Sequence, residues 1–250
     1  MSSVTTVASV MPSPPADVPP RSIPSLDELF AMTTEPDERV LIHDVDWAFY
    51  EQLVDSIPEG ANLHVDYDGK DLEIMTLSPL HDGEKKLFGQ FVEAVAQELA
   101  IPYKSAGQTT WKRPEVARGL ESDESHFFRV EKLAAVAAAK GRRSKKIADY
   151  PNPDLGIEVD ISPSKIDRPG IYAALRVAEV WRFDGESQQV VIEHLGEDGT
   201  YRPIEVSTLV PVRAEEIRRC VVEEDSRDES AWGRRLRAWA RAELAPRLAR

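Results

Sequence analysis

The most constraining feature of this chain is the stretch 153–162, in which apolar and polar residues alternate without a break. Leu155, Ile157, Val159 and Ile161 fall on one face, and Asp154, Gly156, Glu158, Asp160 and Ser162 on the other. A period of two is that of a β-strand, whose successive side chains point to opposite sides. Such a strand needs a sheet to pair with and a layer to cover its apolar face. The following residues supply both: a helix is expected near 168–176, then strands at 179–184 and 189–195 joined through Asp184-Gly185. The expected class is therefore α/β (α+β), a sheet flanked by helices.

The rest of the chain extends that pattern. Short helical spacing at Leu26, Leu29 and Phe30 and a stripe of Trp47, Tyr50, Leu53 and Val54 predict two early helices. Two alternating runs, 62–67 and 70–76, are separated by Asp68-Gly69, a strong hairpin signal. Ser78 followed by Pro79 suits the start of a helix, with Leu87, Phe88, Phe91, Val92, Val95 and Leu99 as its apolar stripe. Further strands are expected at 103–106 and 108–112, and 119–128 reads as a loop entering a strand. A short helix over 133–139, a hairpin at Glu197-Asp198-Gly199 and a helix over 213–222 follow.

The two ends differ in composition from the body. Residues 1–25 hold six of the 18 prolines and read as a disordered tail. The last 25 residues hold seven arginines against Asp228, Glu229 and Glu243, with Trp232, Leu236 and Trp239 at helical spacing, and read as a basic amphipathic helix over 223–250. The domain proper is expected over 26–222.

Charge and composition exclude several function classes. Lys plus Arg is 31 against 44 for Asp plus Glu, a net charge of −13, the opposite of the usual nucleic-acid binder. The last 25 residues carry +4 and the first 225 carry −17, and a run of five cations lies at 140–146. The single cysteine, Cys220, rules out an internal disulfide or a multi-cysteine zinc site. No apolar run is long enough to span a bilayer and no secretory signal pattern stands at the amino terminus, so no membrane role and a cytoplasmic location are expected. No phosphate-binding loop, dinucleotide fingerprint or serine-nucleophile elbow is present, and no two of the five histidines have helical zinc spacing.

Carboxylates are the remaining chemistry. Glu158 and Asp160 share a strand face, Asp123 starts an earlier strand, and Glu84 continues the inner stripe of its helix one turn after His81. Buried carboxylates need a counter-charge or a metal, and oxygen-only donors suit Mg²⁺ or Mn²⁺. The same residues also suit blander roles: Glu158 and Asp160 the wet face of a sheet, Asp123 a turn or strand entry, and Glu84 a helix-dipole contact.

An ordered set of segments resembles a known family: RVLIHDVDWAFY at 39–50, LEIM at 72–75, SPLH at 78–81, GLESDE at 119–124, PDLGIEVDIS at 153–162 and IYAALRVAEVWRFD at 171–184. Over about 26–222 the chain resembles the Uma-two restriction-endonuclease family of the PD-(D/E)xK nuclease superfamily. The resemblance implies a restriction-endonuclease-like core with a mixed central sheet, DNA as partner, and Mg²⁺ or Mn²⁺ as cofactor. A homodimer would suit the cutting of duplexes. It implies Asp123 and Glu158 as metal ligands, Glu84 as a further ligand for a metal or a water, and Arg168 at the place of a lysine that has moved to the following helix. The chain departs from the pattern at Ser122, where proline is usual, and at Asp160, where the superfamily's strand lysine would stand. Lys165 is a substitute cation. The implied activity is metal-dependent hydrolysis of DNA phosphodiester bonds; the alternative is an inactive nuclease-fold protein acting as a binding module.

Overall fold

The structure is a computed structural model that describes residues 24–33, 35–58 and 61–248. Residues 1–23 of the expected tail lie outside the described residues.

Local signals explain where the elements begin. Ser25 and Glu28 form a capping box on α1 (Leu26–Met32). Asp46 caps α2 (Trp47–Ser56), accepting from the Phe49 amide. Ser78 caps α3 (Pro79–Glu98), with Pro79 in its first turn, where no backbone donor is needed. Between α2 and α3, β2 (His64–Tyr67) and β3 (Leu72–Met75) form the hairpin, and Gly69 at φ 96 takes the left-handed turn position.

The strands make two sheets. The first is antiparallel, in the order β1 (Arg39–Ile42), β3, β2, β6 (Arg118–Ser122), β5 (Thr109–Arg113). The second runs β11 (Tyr201–Pro203), β10 (Gln189–Leu195), β9 (Glu179–Asp184), β8 (Leu155–Asp160), β7 (Glu124–Phe127), β4 (Lys104–Ser105). Among the described residues, only β8 and β9 pair in parallel, with Glu158 opposite Arg182. A parallel pair needs a crossover, and α5 (Arg168–Ala174) supplies it. This is the mixed sheet flanked by helices that was expected.

One expectation is corrected here. Residues 119–122 are not loop but part of β6, and the chain runs from β6 straight into β7. β6 belongs to the first sheet and β7 to the second, so Asp123 sits where the strand passes from one to the other.

The apolar faces divide into three clusters. The outer face of the first sheet, with Val65, Tyr67, Leu72 and Ile74, packs on Tyr50 and Leu53 of α2. Leu155, Ile157 and Val159 of β8 pack on Phe88, Phe91 and Val95 of α3. α7 (Glu229–Trp239) joins that same cluster through Trp232 and Leu236, and Trp232 donates from Nε1 to the Cys220 carbonyl at 2.7 Å. The expected basic helix thus contributes its apolar stripe to the main core. The third cluster sets Ile171 and Tyr172 of α5 against Trp111, Phe127 and Val180.

β8 is buried on both faces, which differs from a strand with one wet side. Its polar face is covered by α5 and by the inner face of the first sheet. Gly156 makes this possible: a Cβ there would lie 2.6 Å from the Tyr172 ring.

Candidate active site

Strand alternation places the site. Residues of β2 and β3 that oppose the apolar face, His64, Asp66 and Glu73, point between the sheets, and Asp66 and Glu73 are register partners. Glu158 and Asp160 come from β8, Asp123 from the β6–β7 junction, His81 from the first turn of α3 and Arg168 from the start of α5. Arg39, His64, Asp66, Glu73, His81, Asp123, Glu158 and Arg168 are all buried.

Two carboxylates with different surroundings form the centre. Asp123 Oδ2 accepts from the Val159 amide at 2.8 Å and faces His81 Nε2 at 3.4 Å. Burial raises the Asp123 pKa, but the hydrogen bond and charge of His81, helped by His64 and Arg168, outweigh it and hold the carboxyl at about 2. Glu158 Oε1 accepts from the Tyr172 hydroxyl and, among the described residues, Oε2 is ion-paired with the Arg168 guanidinium without a hydrogen bond of its own. Burial pushes its pKa well above the ordinary value; Arg168 opposes this, and Asp123 and Asp160 add to it. Asp123 is therefore the ionised member and Glu158 the member that holds a proton more readily, a separation of roles by environment.

Arg168 is the counter-charge of the cluster. Besides Glu158 it faces Asp66 Oδ2 at 3.5 Å and Asp160 Oδ1 at 4.0 Å. Burial alone would lower its pKa, but Asp66, Glu158 and Asp160 raise it well above the ordinary value. Asp66 accepts from the Glu121 amide at 2.8 Å, yet burial still drives it up to about 6. Arg39 bonds Glu73 at 2.6 Å and Asp160 at 2.8 Å, and its Nε reaches the Ser162 carbonyl at 3.0 Å. Among the described residues, Asp66, Glu73, Asp123, Glu158 and Asp160 face two guanidinium groups, Arg39 and Arg168, with His81 and His64 beside Asp123, so acids outnumber the fixed cations in a low-dielectric setting. A cavity of about 210 Å³ opens on this cluster, lined by Glu158, Asp160, Arg168, Tyr172 and Arg182 among others.

The residues singled out in the sequence fare differently. Asp123, Glu158 and Arg168 come together, with Asp160 beside them. Lys165 sits at the rim: its amide donates to Glu73 at 2.6 Å and its ammonium to the Arg39 carbonyl, so it pins the loop after β8 to β1. Glu84 shares no hydrogen bond or ion pair with Asp123 or Glu158. It lines a separate cavity with Phe88, Phe183 and Val221, and burial raises its pKa while His81 lowers it. His64, Asp66, Glu73 and Arg39 were not singled out. The alternation of His64-Val65-Asp66-Tyr67 and Leu72-Glu73-Ile74-Met75 puts His64, Asp66 and Glu73 on the face away from the apolar residues, but it does not show what they meet there, and Arg39 has no such signal.

The donor chemistry fits a hard divalent ion: carboxylate oxygens, no thiolate and a surplus of negative charge. Among the described residues, no group of three or more His, Cys, Asp or Glu side chains is arranged to hold a metal ion.

A mixed α/β protein with buried acids where β6–β7 and β8 meet is the class that this architecture defines. The Uma2 family model, described as "Putative restriction endonuclease", matches residues 47–218, and the chain belongs to that family. A solved structure titled as a putative nuclease belonging to DUF820, from Anabaena variabilis ATCC 29413, is similar at 16 % identity and a TM-score of 0.45, covering 76 % of this chain and 99 % of that one. No curated protein matches the chain. Among the described residues, no helix is long and apolar enough to cross a membrane.

Proposed function

We propose that this chain is a divalent-metal-dependent endonuclease that hydrolyses DNA phosphodiester bonds at the Asp123–Glu158 pair. The observation that carries the reading is that pair itself, two buried and electrostatically distinct carboxylates, of which Glu158 lines a cavity together with Arg168. Membership of the Uma2 family supports the same reaction class.

Asp123 and Glu158, with the Val159 carbonyl, would hold Mg²⁺ or Mn²⁺. Such an ion supplies a Lewis acid for the phosphate and water of lowered pKa. The protein's own residues prepare the site. His81 and the Val159 amide fix Asp123 as an ionised, oriented carboxylate. The Tyr172 hydroxyl orients Glu158. Arg168 is a fixed positive charge beside the cavity, suited to a phosphate whose negative charge grows in the transition state. It stays protonated and so does not serve as a general base.

The second reading is an inactive nuclease-fold protein that binds a partner. It is favoured by the engagement of Glu158 with the protein itself, a hydrogen bond from Tyr172 on Oε1 and the Arg168 charge beside Oε2. Supercoiled plasmid incubated with the purified chain and Mg²⁺ or Mn²⁺ separates the two. Nicking that is lost in Asp123→Asn and in Glu158→Gln supports hydrolysis. No nicking by the wild type, or equal nicking by the double variant, rejects it.

A further inference from the structure

On a chain of net charge −13, the location of uncompensated positive charge decides where a polyanion can dock. The carboxy-terminal arginines are poor candidates, because the fold neutralises most of them. Arg241 pairs with Glu98 at 2.7 Å and Arg247 with Glu216 at 2.5 Å. Arg235 lies 3.7 Å from Glu224, and Arg227 bonds Asp225 at 2.7 Å.

The run at 140–146 is different. It lies at the end of α4 (Val130–Gly141), where Lys140, Arg142, Arg143, Lys145 and Lys146 are all exposed. Among the described residues, none of the five has a carboxylate within ion-pair distance. Exposed Lys104, from edge strand β4, lies beside Lys140, whose pKa slight burial and the Lys104 ammonium lower, although the Glu93 carboxylate offsets part of the Lys104 charge. The segment also carries one carboxylate, Asp149, which accepts from the Ser144 hydroxyl and leaves the five cations in clear excess.

The backbone holds this patch in one shape. The Arg143 amide donates to the Lys140 carbonyl at 2.8 Å and the Ser144 amide to the Ala139 carbonyl at 3.1 Å, the Schellman ending of a helix. Its left-handed position, usually glycine, is Arg143 at φ 54. A cation thus stands where glycine would be better for the backbone. Beyond it, the Tyr150 hydroxyl bonds the Ser144 carbonyl at 3.0 Å and Arg113 bonds the Tyr150 carbonyl at 2.7 Å, fastening the segment to β5.

We infer that Lys104, Lys140, Arg142, Arg143, Lys145 and Lys146 form a docking surface for a nucleic-acid phosphate backbone. The choice of nucleic acid among polyanions rests on the nuclease reading above. The geometry is that of a preformed cationic patch, which binds phosphates through charge and counterion release and not through base edges.

The test is anisotropy of a fluorescein-labelled 20-base-pair duplex with the full chain, in EDTA, from about 50 to 200 mM salt. Wild type should bind with a steep salt dependence. The variant Arg142→Ala/Arg143→Gly/Lys145→Ala/Lys146→Ala should bind at least tenfold more weakly at low salt, with the slope of log K against log salt smaller by about 2 to 3. Arg143→Gly alone should lower that slope by about 1 while the melting temperature holds or rises. Arg235→Ala/Arg241→Ala should leave the slope unchanged. No binding by wild type, an unchanged slope in the patch variant, or loss in the carboxy-terminal variant overturns the inference. EDTA removes hydrolysis from the readout, so binding through the patch without any plasmid nicking rejects the enzymatic reading alone. Nicking that persists with unchanged duplex affinity in the patch variant rejects the patch alone.

Discussion

Asp66→Asn should make this protein more stable at neutral and alkaline pH, although it removes a buried charge that faces Arg168. Asp66 is fully buried, and its pKa is driven from 3.8 up to about 6 even with Arg168 and the Glu121 amide acting to lower it. In the folded state the carboxyl therefore holds its proton more tightly than in the unfolded state. Its contribution is most favourable below about pH 4 and declines as pH rises to about 6, above which the loss is constant. A rise of that size corresponds to about 3 kcal/mol. An amide resembles the protonated acid and its carbonyl still accepts from Glu121. The variant should gain about 3 kcal/mol at pH 8 and roughly half as much at pH 5. Urea denaturation in EDTA at the two pH values measures both. A loss of stability at pH 8, or an equal gain at pH 5 and pH 8, would refute the reasoning and with it the anionic surplus inferred for the site.

Other substitutions test the supports of the site and core. Gly156→Ala puts a Cβ 2.6 Å from the Tyr172 ring, so stability should fall by about 1–3 kcal/mol, and the displaced Tyr172 should lower any nicking rate along with it. Trp232→Ala removes a fully buried ring and its bond to the Cys220 carbonyl; a loss of about 3–5 kcal/mol by urea denaturation is expected, and a loss under about 1 kcal/mol would show that the carboxy-terminal helix is dispensable to the core. Asp46→Ala removes the α2 cap and should cost about 1 kcal/mol, measured the same way.

The elements most legible in the sequence were those with a local cause. Ser78-Pro79 and Asp68-Gly69 mark a helix start and a turn through chemistry within four residues, and each stands where it was expected; Asp46 caps its helix by the same local chemistry. The polar face of β8 was not legible in that way. Its alternation also suits a wet face, and only the parallel pairing with β9 and the cover from α5 and the first sheet make it a buried acidic wall. Asp123 and Glu158 stood out by resemblance, while Asp66, Glu73 and Arg39 join them through pairings 34 to 121 residues apart that no local pattern encodes. Glu84 shows the reverse. Its place on the inner stripe of α3 was correct, but that stripe delivers it to a cavity beside Phe183 and Val221. The pairing of the carboxy-terminal arginines is set at similar range, since Glu98 and Glu216 neutralise Arg241 and Arg247 from distant parts of the chain.

The central claim is that Asp123 and Glu158 jointly hold a divalent cation for phosphodiester hydrolysis. A calorimetric titration of Mn²⁺ into the wild type, Asp123→Asn and Glu158→Gln tests it directly, with the fold of each variant checked by circular dichroism. Saturable binding by the wild type, weakened at least tenfold by either substitution, is the expected result. No Mn²⁺ binding by the wild type, or equal affinity in both variants, would contradict the account.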